Sequence, residues 1–341
     1  MPETADELLY LSSSDVLEAC ADVDPLRCVS DALLEHAAGA AEVGVEGVIR
    51  WSPASGQSAR TLNMPGLLGN GAVVGTKIIN ANTGNPDLGL PRADGVTILF
   101  DPRNARPRAI LQGAHISALR TAAVSTVAAR ELAHSGPVTL GVVGAGKLAQ
   151  AHIELMAEHL KISQVLLSDR LRERAQVLAA QLRGAGLSQE IVVTDVERSV
   201  REANIIVTAT TATQPYVPDD WITPGALVIN VSLDDIEERT YLRADLLYVD
   251  DWELIIDDTK RLLGRLGRAG KITGPGQPAP AGGRCVTGTL GQLLSRTCPS
   301  RHEDGQTIVV NPFGMAIEDL AVAHEVCAVA ISHGLGLSLR R

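Results

Sequence analysis

The sequence predicts an α/β protein: a doubly wound parallel sheet with a smaller α+β region beside it. Three observations carry that expectation. Beyond Val138, short apolar runs alternate with stretches of helical period. Between residues 45 and 112 similar runs are separated by turns alone. A glycine-rich turn, Gly144-Ala145-Gly146-Lys147-Leu148-Ala149, stands where the first parallel strand should meet its helix.

In chain order, residues 14–40 carry a helical period through Val16, Leu17, Cys20, Leu26, Val29, Leu33, Leu34 and Ala37. Strands are expected at Gly47–Trp51, Arg60–Met64, Ala72–Ile79, Val96–Asp101 and Arg108–Gln112, and the style is that of an antiparallel sheet. The run from Asp101 to Arg106 reads as the hairpin turn between the last two. Ile116 to Ala133 is helical. The parallel sheet then takes Val138–Val143, Gln164–Ser168, Glu190–Thr194, Ile205–Thr210, Leu227–Val231, Leu246–Val249 and Thr307–Val310. Helices are expected from Lys147, over Arg172–Gly184, around Asp195–Glu202 and over Thr289–Leu294. Lys271–Gly283, rich in Gly and Pro, should be a loop, and the apolar segment Ala316–His333 a buried helix.

The glycine-rich turn has the chemistry of a dinucleotide site. Gly144 makes the turn, Gly146 lets backbone approach a pyrophosphate, and the small Ala149 lets helix pack on strand. The helix beginning at Lys147 and Leu148 offers unpaired N–H groups to phosphate. Asp169 follows the next strand, 23 residues after Gly146, where a ribose-binding acid belongs. That acid favours NAD. Arg170 beside it can hold a 2′-phosphate, so NADP stays open.

Composition narrows the partners. A net charge of −10 argues against nucleic acid and anionic membrane. No apolar run reaches membrane-spanning length, and the acidic start, Met1 to Glu7, is unlike a signal peptide. Five cysteines, odd in number and without CxxC spacing, indicate neither a zinc site nor a disulfide framework, and no His pair has metal-ligand spacing. The expectation is a cytoplasmic protein with reduced thiols, no metal and a small-molecule substrate.

Polar residues outside the turn must name the reaction. Lys77 sits in the apolar strand Thr76-Lys77-Ile78-Ile79-Asn80; alternation alone leaves both a site-facing and an exposed lysine open. Arg120, among small residues on a helix, can fork onto a carboxylate or lie on the surface. Thr121 and the strand end Thr208-Ala209-Thr210 offer small polar groups to a cofactor. Asp234 and Asp235 follow a strand end, where either an acid–base role or a helix cap is possible.

These runs, with Gly89-Leu90-Pro91, Gly113-Ala114-x-x-Ser117-Ala118-Leu119-Arg120-Thr121-Ala122-Ala123 and Phe313-Gly314-Met315-Ala316-Ile317-Glu318-Asp319, resemble the ornithine cyclodeaminase/μ-crystallin family from about residue 8 to 335. The resemblance implies a discontinuous substrate-binding and dimerisation domain, residues 1–115 with 316–341. A Rossmann dinucleotide-binding domain, 116–315, is inserted within it. It further implies a homodimer, amino-acid chemistry and a nicotinamide cofactor. By motif, Arg50, Lys77, Arg120 and Asp235 would hold and process the amino acid. The cofactor would meet Thr121, Gly144, Ala145, Gly146, Lys147, Leu148, Ala149, Asp169, Arg170, Thr208, Ala209, Thr210, Ser232 and Asp319.

The family's cyclodeaminases carry Asn-Ala-Val-Gly-Gly/Ala-Asp around the aspartate, whereas this chain has Asn230-Val231-Ser232-Leu233-Asp234-Asp235. That segment, with Val249-Asp250-Asp251 and Asn311-Pro312-Phe313-Gly314-Met315, looks more like the siderophore-pathway dehydrogenases. Those make L-2,3-diaminopropionate from N-(2-amino-2-carboxyethyl)-L-glutamate. The branch implies NAD-dependent oxidation of the glutamate Cα–N bond and hydrolysis of the imine. Arg50, Lys77 and Arg120 would meet three carboxylates, with Asp235, beside Asp234, as base. Rival readings within the family are a cyclodeaminase, an alanine dehydrogenase or ketimine reductase, and a μ-crystallin-like ligand-binding protein.

Overall fold

Pro25 divides the first helical stretch. Lacking an N–H and clashing with a preceding turn, proline is tolerated at a helix start and not in its interior. Residues 14–40 therefore form two helices, with Asp24 capping the second by accepting from the Arg27 N–H at 3.0 Å. The helical period expected over 14–40 is carried by these two helices.

The computed structural model describes residues 7–53 and 57–340; the N-terminal acidic run on which the signal-peptide reading rests lies largely outside them. The elements are β1 (Glu7–Leu11), α1 (Ser13–Cys20), α2 (Pro25–Ala37), β2 (Glu42–Val43), β3 (Gly47–Trp51), β4 (Ala59–Leu68), β5 (Val73–Asn82), β6 (Ala93–Phe100), β7 (Pro107–Gln112) and α3 (Gly113–Leu132). Then come β8 (Val138–Val143), α4 (Lys147–His159), β9 (Ile162–Ser168), α5 (Arg172–Gly184), β10 (Glu190–Val193), α6 (Val196–Arg201), β11 (Ile205–Thr208), β12 (Leu227–Asn230), α7 (Glu238–Arg243) and β13 (Leu246–Val249). The chain closes with α8 (Trp252–Asp257), α9 (Leu262–Arg268), β14 (Ile272–Thr273), β15 (Arg284–Cys285), β16 (Gly288–Thr289), α10 (Leu290–Leu294), β17 (Ile308–Val310), α11 (Ala316–His333) and β18 (Leu337–Arg340).

Two units result: residues up to Arg120 with those from Met315 onward, and Thr121–Gly314. In the first, the sheet runs β18-β1-β7-β6-β5-β4-β2, with β3 also on β4. Five antiparallel strands were expected there. The sheet has eight strands, and β1 pairs with β7 in parallel. Strands β1, β2 and β18 are too short for their period to stand out from flanking sequence. Helix α11 packs on β4, β5 and β6 and on α1 and α2. It buries Ile317, Leu320, Val322 and Val326, each contributing about 1.5–3 kcal/mol.

The second unit is the expected doubly wound parallel sheet, in the order β10-β9-β8-β11-β12-β17-β13-β16. Its strands are short and apolar because both faces are covered: every residue of β11, β12 and β13 is buried. β9 and β11 flank β8 on opposite sides, so the order reverses there, and ligands of such sheets bind beyond the carboxyl ends of the strands at that point. The Gly- and Pro-rich stretch is a loop closed by the pair β14–β15.

Candidate active site

In the first unit, Lys77 lies mid-strand in β5, paired to Met64 on one side and Thr97 on the other. Both open questions about the cations are answered by burial, since Lys77 is 4% and Arg120 6% exposed. Buried charges require partners, and these have them. Lys77 Nζ is 2.8 Å from Asp319 Oδ1 and donates to Ser117 Oγ at 2.8 Å. Arg120 NH1 is 2.6 Å from Glu318 Oε2, and its Nε 2.9 Å from Asp319 Oδ2. Glu318 and Asp319 belong to the first turn of α11, where the helix dipole favours carboxylates, and Glu318 Oε2 also accepts from the Met315 N–H at 3.2 Å. Burial pushes the Lys77 ammonium down to about 8, helped by Arg120 and opposed by Asp319.

Two further candidates have these surroundings. Asp319, assigned by resemblance to the cofactor, is fully buried against the two cations. Arg50, assigned to the substrate, lies exposed on β3 and makes no ion pair among the described residues. Through Arg60 and Ala81 it shares the Lys77 face of the sheet, four residues along and two strands across. Strand geometry makes that separation roughly 16 Å between backbones.

In the second unit, the loops after β8, β9, β11 and β12 gather the remaining candidates. Gly144 has φ +111°, and a Cβ there would come within 2.5 Å of the Ala209 carbonyl oxygen, so the turn demands glycine. At Gly146 a Cβ would meet nothing within 4 Å. No protein atom explains that glycine, as expected if the open space belongs to a ligand. A cavity of about 420 Å³ adjoins it, lined by Ala145, Gly146, Glu173, Arg174, Leu178 and their neighbours. Lys147 and Leu148 open α4, and Ala149 is fully buried, as close helix–strand packing requires. Asp169 accepts from the Ala145 N–H at 2.9 Å and the Leu171 N–H at 2.8 Å, which fixes its carboxylate beside the turn, with Arg170 exposed next to it. These residues fit a dinucleotide. Thr121, on α3, is half-buried, and its carbonyl accepts from Ser125 Oγ at 3.2 Å.

The strand-end hydroxyls serve the protein first. Thr208 is fully buried and donates to Asn230 Oδ1 at 2.7 Å, so its hydroxyl ties β11 to β12. Ser232 Oγ donates to the Thr208 carbonyl at 2.9 Å and accepts from the Thr210 N–H at 2.7 Å. The Ala209 N–H donates to the Val143 carbonyl at 2.8 Å. Thr210 Oγ1 donates to Asp235 Oδ1.

The adjacent aspartates part company. Asp234 accepts from the Leu262 N–H at 2.6 Å and from both terminal nitrogens of Arg265 at 3.1 Å. It anchors α9. Asp235 is fully buried, and its Oδ2 has no hydrogen-bond partner among the described residues. Sequence reasoning passed over Tyr216, whose hydroxyl is likewise buried and unpartnered. It also left Glu318 without a role, although its place beside Asp319 in the first turn of an apolar helix was a usable signal. Burial, then the Asp235 carboxylate, raises the Tyr216 phenol above its ordinary range.

The model of the ornithine cyclodeaminase/mu-crystallin family matches residues 10–333. The N-((2S)-2-amino-2-carboxyethyl)-L-glutamate dehydrogenase of Staphylococcus aureus is 31% identical over 98% of this chain and 98% of its own. Among solved structures, that of CmnK superposes with a TM-score of 0.87 at 35% identity, covering 98% of each chain. The Δ(1)-pyrroline-2-carboxylate reductase of Thermococcus litoralis, solved with NADH and L-proline, has a TM-score of 0.85 at 24% identity over 97% of this chain and 100% of that one. At that identity the likeness is one of fold.

Proposed function

The chain belongs to the ornithine cyclodeaminase/mu-crystallin family, and from that premise we propose that it is an NAD-dependent amino-acid dehydrogenase. Its substrate is N-(2-amino-2-carboxyethyl)-L-glutamate, which it oxidises at the glutamate Cα–N bond; imine hydrolysis then gives L-2,3-diaminopropionate and 2-oxoglutarate. The observation that carries this reading is the end-to-end likeness to the staphylococcal enzyme of that name, 31% identical over 98% of both chains.

The residues present suit the chemistry. Glu318 and Asp319 hold Lys77 and Arg120 as fixed cations, and a guanidinium has five N–H donors, so a fork onto a substrate carboxylate can coexist with its acidic partner. Ala145, Gly146 and Asp169 would hold the dinucleotide, which when bound supplies the two-electron acceptor. Asp235 takes the proton from the secondary amine and later assists water. Asp234, committed to Arg265, stays out of the reaction.

A homodimer is part of the proposal. Val48, Ile49 and Trp51 of β3 are exposed apolar side chains of the kind a partner covers. A stable monomer in sedimentation would contradict it. A cytoplasmic setting fits the five cysteines, all free thiols.

The function is tested by following NAD reduction with the diaminopropionate–glutamate adduct, ornithine and alanine in turn. NADH should form with the adduct. Consumption of ornithine without NADH, or reduction with alanine alone, would overturn the reading.

A further inference from the structure

Tyr216 belongs to no motif used above. It lies in the loop after β11, and two backbone bonds fasten that loop to Asp235: the N–H groups of Tyr216 and Val217 donate to the Asp235 carbonyl at 3.0 and 2.9 Å. Asp235 Oδ1 is taken by Thr210, whose hydroxyl also accepts from the Ala212 N–H at 3.1 Å. Two polar atoms are left over, the Tyr216 hydroxyl and Asp235 Oδ2, both buried and both without a partner among the described residues.

A buried polar group left unpaired costs about 1–3 kcal/mol, so two in one place call for a third group that completes both. The phenol and the carboxylate are close enough to interact, and the phenol's raised pKa keeps it protonated at working pH. A protonated phenol is a donor. A group that accepts from Tyr216 and donates to Asp235 Oδ2 would complete both, the valence of a water molecule.

We propose that Tyr216 is a catalytic residue that, with Asp235, holds the water that hydrolyses the imine. The inference rests on the function proposed above. The two electrons have by then passed to NAD, so no further oxidant is needed. Asp235 first returns the amine proton to the imine nitrogen; water oxygen then bonds to the imine carbon, the C=N π pair moves to nitrogen, and Asp235 Oδ2 takes the water proton, which it later passes to the leaving nitrogen. The resulting carbinolamine then loses its hydroxyl proton, the C–N bond breaks, and nitrogen leaves with the electron pair and a proton as the amine of diaminopropionate. The carbon is left as the ketone of 2-oxoglutarate.

The test separates the two halves of the reaction in Tyr216→Phe. Single turnovers with saturating NAD are followed for NADH, for 2-oxoglutarate after rapid quench, and for imine trapped with borodeuteride. Trapped imine returns as substrate carrying one deuterium. NADH formation should slow less than about fivefold, while 2-oxoglutarate release falls about 10²-fold, the low end for loss of a preorganised hydrogen-bond donor. Deuterated substrate should accumulate in the variant and not in the wild type. Tyr216→Met, which also lacks the hydroxyl, should show the same split if the Phe variant does not fold. Release of 2-oxoglutarate at the wild-type rate, or equal slowing of both phases with unchanged NAD affinity, overturns the role of Tyr216 alone. Wild-type enzyme that makes NADH from the adduct but no 2-oxoglutarate, or neither, overturns the proposed function and this inference with it.

Discussion

Around Lys77 and Arg120, two cations and two carboxylates are ion-paired with one another inside the first unit. Around Asp235, in the second, a buried carboxylate oxygen and a phenol hydroxyl have no hydrogen-bond partner among the described residues. Their polar atoms are buried in both places, so burial does not distinguish them. Ion pairing does. An ion-paired network holds charge in place and resists change, which suits positioning; an open pair of polar atoms binds whatever completes it, which suits chemistry. The two should therefore fail differently when altered.

The largest expected effect falls on the open site. Asp235→Asn should lose at least about 10²-fold in rate, the low end for removing a general base, with NAD affinity intact. Asp234→Asn should leave turnover within a few-fold and instead lower stability by about 1–3 kcal/mol, because it gives up a charge-assisted anchor for α9. Equal kinetic losses in both variants would erase the distinction between the neighbours.

In sequence the two aspartates look alike. Arg265, 31 residues downstream, decides between them, and no local pattern announces that contact. The dinucleotide turn was legible because its signal is local: apolar strand, glycines at fixed spacing, helical period, and an acid after the next strand. The helix Ala316–His333 was legible to the residue for the same reason. What escaped depended on register and on distant partners: the short strands β1, β2 and β18, the pairing of Glu318 and Asp319 with Lys77 and Arg120, and the commitment of the Thr208 hydroxyl to Asn230. With nine aromatic residues in the whole chain, a tyrosine in a strand-end loop was itself a signal.

Lys77→Ala or Arg120→Ala should cost about 2–5 kcal/mol in kcat/KM, since each leaves buried carboxylates unpaired as well as removing a cation from substrate. NAD affinity should barely move. A large loss of NAD binding with normal substrate saturation would put these residues in the wrong role. A smaller effect is expected at the cofactor. Asp169→Ala should weaken the preference for NAD over NADP by about 1–3 kcal/mol, read from the ratio of kcat/KM values with the two cofactors.

The pH dependence sharpens the comparison most finely. Burial holds the Lys77 ammonium down at about 8 against 10.5 in the unfolded chain. Between those values the unfolded state binds more protons, so the contribution of Lys77 to stability rises with pH. Its charge is lost over the same window, so kcat/KM should fall about tenfold per pH unit above about 8. Stability and affinity moving in the same direction there would contradict the assignment of Lys77 to a substrate carboxylate.

The central claim is a net oxidation followed by hydrolysis, and product stoichiometry tests it most directly. With the adduct and NAD supplied together, one NADH and one 2-oxoglutarate should accumulate for every diaminopropionate formed. Proline appearing from ornithine with no net NADH would contradict it and make the protein a cyclodeaminase.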